Sequence, residues 1–291
     1  MSRTSTGSSS PRRAAAGTDR RVPERPEEVR QTLAALGVRP SKAWGQSFLT
    51  DPFVADAEAA LVELEPGRPV LEIGGGLGLL TAALLRRGIH PLTVVERDPR
   101  LAAFLRSTFG DRISVVVGDA LEGPLPPADC AIGNLPYSVA TPLLIRLFER
   151  RTPRVVFLVQ REVAERLAAT PGSKAYGRLS LLARLYGEVE LYRAVAPDAF
   201  FPPPEVESRL AVHVARPGPL PVRSPAVLER VVRTLFSSRR KQLGNLLPRL
   251  ATDGRDAGAL AQAADWPSDW ATRRPEDLPP ESFFALANCL D

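Results

Sequence analysis

Val70-Leu71-Glu72-Ile73-Gly74-Gly75-Gly76-Leu77-Gly78-Leu79-Leu80-Thr81 decides the fold of this chain. An apolar run of strand length meets a cluster of glycines, and a helical pattern then resumes through Leu84, Leu85 and Arg87. Strand, glycine turn and helix N-terminus form a βα unit in which backbone can approach a nucleotide closely. Downstream, Leu92-Thr93-Val94-Val95 reads as a second strand ending on Glu96, at about the separation from the glycines where a carboxylate meets ribose hydroxyls. A third strand, Ile113-Ser114-Val115-Val116-Val117, closes on Gly118-Asp119-Ala120. A fourth, the buried-looking Asp129-Cys130-Ala131-Ile132-Gly133, runs into Asn134-Leu135-Pro136-Tyr137.

Taken singly, each strand-end acid has a bland reading as a cap or surface carboxylate, and Asn-x-Pro-Tyr is ordinary turn punctuation. The ordered set is less easily met by chance. A glycine loop, an acid, an acid and a polar turn on successive strand ends are the layout of an S-adenosylmethionine site. In that layout Glu96 takes the ribose, Asp119 the adenine amine, and Asn134 stands beside the methyl group. A nicotinamide dehydrogenase shares the glycine turn and Glu96, but leaves Asp119 and the Asn134 turn without a task. The Asn134 turn suits an amine that is a poor nucleophile because its lone pair is delocalised into a base. An Asn oxygen and a main-chain carbonyl held by the following proline accept from its two N–H groups, and a tyrosine ring stacks on the flipped base.

On these residues the chain resembles the ribosomal RNA adenine dimethyltransferases of the KsgA type, from about Val29 to the C-terminus. The resemblance extends to five further stretches: Ser41 to Asp51, Val159 to Leu167, Tyr176-Gly177-Arg178-Leu179-Ser180, Phe200-Phe201-Pro202-Pro203-Pro204-Glu205-Val206, and Phe236-Ser237-Ser238-Arg239-Arg240-Lys241. Ser47 stands where the family usually has Asn, Trp44 where it has Phe or Leu, and Gly75 where Pro is common. The resemblance implies an α/β, doubly wound, Rossmann-like class I methyltransferase sheet with a small all-α C-terminal domain. It implies S-adenosyl-L-methionine held by Gln46, Ser47, Leu49, Gly74, Gly76, Glu96, Asp119 and Asn134. Catalysis falls to Asn134, Leu135, Pro136, Tyr137 and Phe200, with RNA phosphates met by Arg239, Arg240 and Lys241 at a helix start. No metal is expected. The implied reaction is dimethylation of the N6 amine of two adjacent adenines in the 3′-terminal hairpin of small-subunit rRNA, within a pre-ribosomal particle. An Erm-type methyltransferase of large-subunit rRNA shares the catalytic motifs. The Tyr-Gly-Arg-Leu-Ser stretch, the proline-rich loop and the basic C-terminal stretch favour the small-subunit enzyme. An assembly factor with dispensable activity need not keep Asn134 and Tyr137.

Composition agrees. The 291 residues carry a net charge of +5, with 44% hydrophobic content, enough for one large and one small domain. Residues 1–40 hold 8 basic against 4 acidic side chains and residues 216–291 hold 11 against 9, whereas residues 41–215 hold 19 against 20. Basic flanks around a neutral body suit a polyanionic substrate gripped beside a cleft. Residues 1–25, rich in Ser, Arg, Ala and Pro, read as a disordered basic tail. Their composition is similar to a transit peptide, but the absence of an amphipathic helix favours a bacterial extension. The methyltransferase domain is expected over 26–215, a linker over 216–224 and the helical domain over 225–291. Helices are expected at Glu27–Leu36, Pro52–Leu64, Ala226–Phe236, Arg239–Leu250 and Pro280–Leu290. Strands are expected at Arg154–Val159, and as a closing pair at Val189–Val195 and Ser208–Val214 that supplies an antiparallel edge. Cys130 and Cys289 lack metal-ligand spacing and read as reduced thiols of a cytoplasmic protein. His90 and His213 carry no motif, no apolar run is long enough to span a membrane, and a monomer is expected.

Overall fold

A computed structural model of the chain describes residues 21–41, 45–251 and 256–291. Most of the expected basic tail, up to residue 20, lies outside the described residues, as does Lys42-Ala43-Trp44. The chain opens with α1 (Pro26–Ala35), the short strand β1 (Phe48–Leu49) and α2 (Pro52–Ala60). Strands and helices then alternate: β2 (Val70–Ile73), α3 (Leu79–Arg86), β3 (Leu92–Glu96), α4 (Pro99–Phe109), β4 (Ser114–Val117), β5 (Cys130–Asn134), α5 (Ala140–Glu149), β6 (Arg154–Gln160), α6 (Arg161–Leu167) and α7 (Arg178–Tyr186). β7 (Gly187–Val195), β8 (Phe200–Phe201) and β9 (Ser208–Ala215) follow, then α8 (Pro225–Phe236), α9 (Ala257–Ala263) and α10 (Pro280–Leu290).

Local chemistry sets many of the helix starts. Proline occupies the first turn of α2, α4 and α8, where its missing N–H is no loss, and the Asp51, Asp98 and Ser224 side chains accept backbone N–H bonds at the caps. β2 and β5 are buried on both faces up to Asn134, as parallel strands under helices on both sides must be, and only Glu72 and Asn134 interrupt their apolar run.

Seven strands form one sheet in the order β4-β3-β2-β5-β6-β9-β7, and β1 pairs with β8 separately. β2 to β6 are mutually parallel, and the chain reverses direction of build between β2 and β5. That switch point is where an open α/β sheet leaves a crevice at its strand ends. The expected antiparallel strand is present but not at the edge. β9 lies between β6 and β7, antiparallel to both, and β7 forms the edge. Alternation within β9 disguised this, because one face meets the core under α2 and α3 and the other the core under α5 to α8.

One expectation fails in the C-terminal part, and one helix there is new. Arg239–Leu250 is not an α-helix; turns and two short 3-10 segments, Leu243–Asn245 and Leu247–Arg249, occupy it. Gly244 and Pro248 interrupt an apolar spacing that otherwise mimics a helix, one by entropy and the other by its missing donor. α9 was not anticipated, since its Ala-rich sequence has little apolar contrast; the Asp256 side chain caps it by accepting from the Ala259 N–H. α8 packs on α7 and α10, and the Tyr176 hydroxyl donates to the Leu278 carbonyl. One apolar cluster therefore runs from Leu144, Phe157 and Leu185 into Leu228, Val232 and Phe283.

Candidate active site

The crevice at the switch point is lined by the carboxyl ends of β2, β3 and β5, by the β1–β8 pair and by the loop before β1. Gln46, Ser47, Leu49, Gly74, Gly76, Glu96, Asp119, Asn134, Leu135, Pro136, Tyr137 and Phe200 all lie on its wall. Residues spread over some 150 positions thus meet in one cleft.

Its floor depends on two close backbone approaches. Gly76 has φ +54°, and its N–H donates to the Glu96 carboxylate at 2.9 Å. The other Glu96 oxygen accepts from the Asp98 N–H at 2.9 Å. One buried acid therefore pins the glycine turn to the end of β3. Burial raises its pKa, and the backbone donors oppose that rise. At Gly133 any Cβ would collide with the Ile73 carbonyl, so only glycine lets the end of β5 lie this close to the end of β2. That contact brings Asn134 beside the glycine turn.

Asn134 closes β5 and pairs with Leu158, and the Leu135 N–H donates to the Leu158 carbonyl at 3.2 Å, so the turn is held by the sheet. The Pro136 carbonyl is taken by the Val139 N–H. The Asn134 Oδ1 is buried and has no hydrogen-bond partner among the described residues. Buried acceptors are nearly always satisfied, so this one is poised for a donor that enters the cleft. Beside it the Tyr137 hydroxyl shares a 2.5 Å hydrogen bond with the fully buried Ser208 Oγ, which orients the ring; burial raises the phenol pKa and this hydrogen bond opposes the rise. Phe200 is buried and pairs with Leu49 across the β1–β8 strands.

Several side chains serve the protein as well as the cleft. The Gln46 Oε1 accepts from the Ser41 N–H at 3.0 Å, closing its own loop, and any Cβ at Gly45 would crowd the backbone of Tyr137 and Ser138. Asp119 accepts from the Leu121 N–H and faces Arg97 at 3.3 Å. Ser208 and Glu72 went unassigned in the sequence. Ser208 carries no motif of its own, whereas Glu72 sits inside the glycine signature and could have been noted. Glu72 accepts from the Thr81 hydroxyl at 2.7 Å, and burial raises its pKa to about 7.

The three cations proposed for RNA do not line the cleft and follow α8 in a turn rather than starting a helix. Arg239 is engaged internally: it pairs with Glu276 and donates to the carbonyls of Ser173 and Lys174. Arg240 and Lys241 are exposed.

Residues 38–264 match the family model described as "Ribosomal RNA adenine dimethylase". The chain belongs to the ribosomal RNA adenine dimethylase family. Among curated members, it is 41% identical over 264 residues to "Ribosomal RNA small subunit methyltransferase A" of Synechococcus sp. (strain JA-3-3Ab), covering 86% of this chain and 93% of that protein. It is 40% identical over 280 residues to the protein of that name from Anaeromyxobacter dehalogenans, covering 90% and 97%. Among solved structures, a dimethyladenosine transferase from Plasmodium falciparum shares the fold, with a TM-score of 0.70 at 23% identity over 82% of this chain and 95% of that one. The 23S rRNA methyltransferase ErmE follows at 0.64 and 28% identity, over 84% and 99%. An adenine dimethylase must hold a methyl donor and a base in one place, and this cleft gathers the residues expected for both.

Proposed function

We propose that this protein transfers methyl groups from S-adenosylmethionine to the N6 amines of two adjacent adenines in the 3′-terminal hairpin of small-subunit rRNA, acting as a cytoplasmic monomer on a pre-ribosomal particle. The observation that carries the chemistry is the orphaned Asn134 Oδ1 beside Tyr137. The small-subunit substrate is favoured because curated relatives named for it match at about 40% identity over 86% and 90% of this chain. Methyl transfer to unmethylated small-subunit particles, followed by nucleoside analysis, tests it; N6,N6-dimethyladenosine in small-subunit rRNA is expected, and incorporation only into large-subunit rRNA would overturn it.

The residues present fit the methyl donor. The glycine turn offers backbone rather than side chains, the cleft wall is largely apolar, and the Glu96 oxygens retain lone pairs to receive a ribose diol. Bound S-adenosylmethionine supplies a methyl group already activated on a sulfonium, with a neutral thioether as leaving group. The protein's contribution is positioning and polarisation. Tyr137 and Phe200 sandwich the flipped base, while Asn134 Oδ1 and the Leu135 carbonyl accept from its amine. These acceptors strengthen as the nitrogen pyramidalises, and the sheet pre-organises them. After one transfer the amine keeps a proton, so a second can follow where the pocket admits the first methyl.

Glu96→Ala is expected to weaken donor binding by about 1.5–3 kcal/mol, roughly 10- to 150-fold, since it removes a charged acceptor and frees Gly76. Calorimetry decides: unchanged affinity would remove Glu96 from the donor site. For RNA, Arg240→Ala with Lys241→Ala should lower the salt slope of particle binding by about 2, one unit per phosphate contact. Arg239→Ala, whose guanidinium clamps Glu276, should lower thermal stability instead. A double variant with the parental slope would place the RNA surface elsewhere.

A further inference from the structure

Among the Phe, Tyr and Trp side chains of the described residues, Phe53 alone is exposed, at 79%. Its place in the fold gives that exposure a direction. The Arg154 guanidinium, at the start of β6, donates to the Leu61 carbonyl and to Glu63, just beyond the C-terminus of α2. That end of α2 therefore lies at the amino end of the central strands, and its first turn, which carries Phe53, lies at the carboxyl end where the cleft opens. Phe53 is four residues from Leu49 on the cleft wall, a separation of at most about 14 Å.

The perch is rigid. Asp51 Oδ1 accepts from the Phe53 N–H at 2.8 Å, and Pro52 occupies the first helical turn. The preceding Thr50 donates both its N–H and its hydroxyl to the Ala199 carbonyl, at 2.8 and 3.1 Å. It is thus tied to the residue before Phe200. Packing does not explain an aromatic ring held in water by this much local structure, and the first turn of α2 is otherwise anchored through Val54 and Ala55.

We propose that Phe53 is a second stacking platform, on the rim, for a base flanking the flipped adenine in single-stranded or splayed RNA. Every base has a π-face, so such a platform fixes the strand without reading its sequence. It would hold the neighbouring nucleotide while the target is drawn into the cleft. Phe53 is a positioning residue here, and the proposal rests on the rRNA reading above.

The test is steady-state methyl transfer to unmethylated small-subunit particles by the full chain and by Phe53→Ala, Phe53→Leu and Phe53→Trp. Loss of one base stack is expected to raise KM about 5- to 150-fold in Phe53→Ala. kcat at saturation, S-adenosylmethionine affinity and melting temperature should stay near parental. Trp should restore KM and Leu should not. Full restoration by Leu would overturn the proposal in favour of an apolar contact with a ribosomal protein, and a parental KM in Phe53→Ala would overturn it outright. If the parent protein itself transfers no methyl group, the rRNA reading fails, which is a separate outcome.

Discussion

Asn134→Ala is expected to lower single-turnover methyl transfer about 100- to 1000-fold, while calorimetric affinity for S-adenosylmethionine changes little. Removing one preorganised polar group at a developing charge typically costs ~3–4 kcal/mol of transition-state stabilisation. The loss falls on the rate because this oxygen has no partner among the described residues and so holds none of them in place. Near-parental dimethylation by Asn134→Ala would remove the proposed polarisation mechanism. Tyr137 separates stacking from hydroxyl chemistry. Its phenol oxygen is engaged with Ser208, so Tyr137→Phe forfeits one orienting hydrogen bond and keeps the ring. Tyr137→Ala also loses a base stack worth roughly 1–3 kcal/mol. A Phe variant as inactive as the Ala variant would mean that the hydroxyl, rather than the ring face, is used.

Glu58→Leu is expected to stabilise the fold, and more so at pH 8 than at pH 5. Glu58 on α2 is fully buried, neither carboxyl oxygen has a partner among the described residues, and Glu72 lies close enough to repel its charge. Desolvation, and then Glu72, push its pKa well above the ordinary carboxylate range. Desolvation likewise lifts Glu72 from 4.5 to about 7. A raised carboxyl pKa means that the folded state keeps protons the unfolded chain releases. Stability is therefore greatest below about pH 4.5 for these groups and is lost as pH rises toward the folded value. For Glu72 the loss between pH 4.5 and 7 is on the order of 3 kcal/mol. Replacing Glu58 by an apolar side chain of similar size removes its share of that penalty. A gain of about 1–3 kcal/mol at pH 8, roughly 2–10 °C in Tm, follows from the cost of an unsatisfied buried polar group. Urea titrations at pH 5, 6, 7 and 8 check it. Equal pH slopes in variant and parent would show that Glu58 is hydrated or paired in solution.

Short-range patterns made much of the fold legible. The apolar runs ending on Glu96, Asp119 and Asn134, separated by helical spacing, determined a parallel α/β sheet because buried strands and one-faced helices leave different periods in a sequence. The same strand ends placed Gly74, Gly76, Glu96, Asp119 and Asn134 at one end of the sheet, since carboxyl ends of parallel strands share an edge. The Arg239–Leu250 stretch shows the limit of this reading, for its apolar spacing is helical and only Gly244 and Pro248 betray the turn.

Other features depended on contacts between distant segments. That β9 runs inside the sheet rather than along its edge rests on pairing with β6 some fifty residues away, which no local period encodes. That Arg239 belongs to the fold rests on Glu276 and the Ser173 and Lys174 carbonyls reaching it first. The sequence by itself determined which residues line the cleft, because motif and strand end are local. Only the tertiary structure decided which polar atoms remain unspent, because a hydrogen-bond partner is chosen by proximity in space. Asn134 Oδ1 stayed open while the Tyr137 hydroxyl was claimed by Ser208, and that difference separates the proposed acceptor from its scaffold.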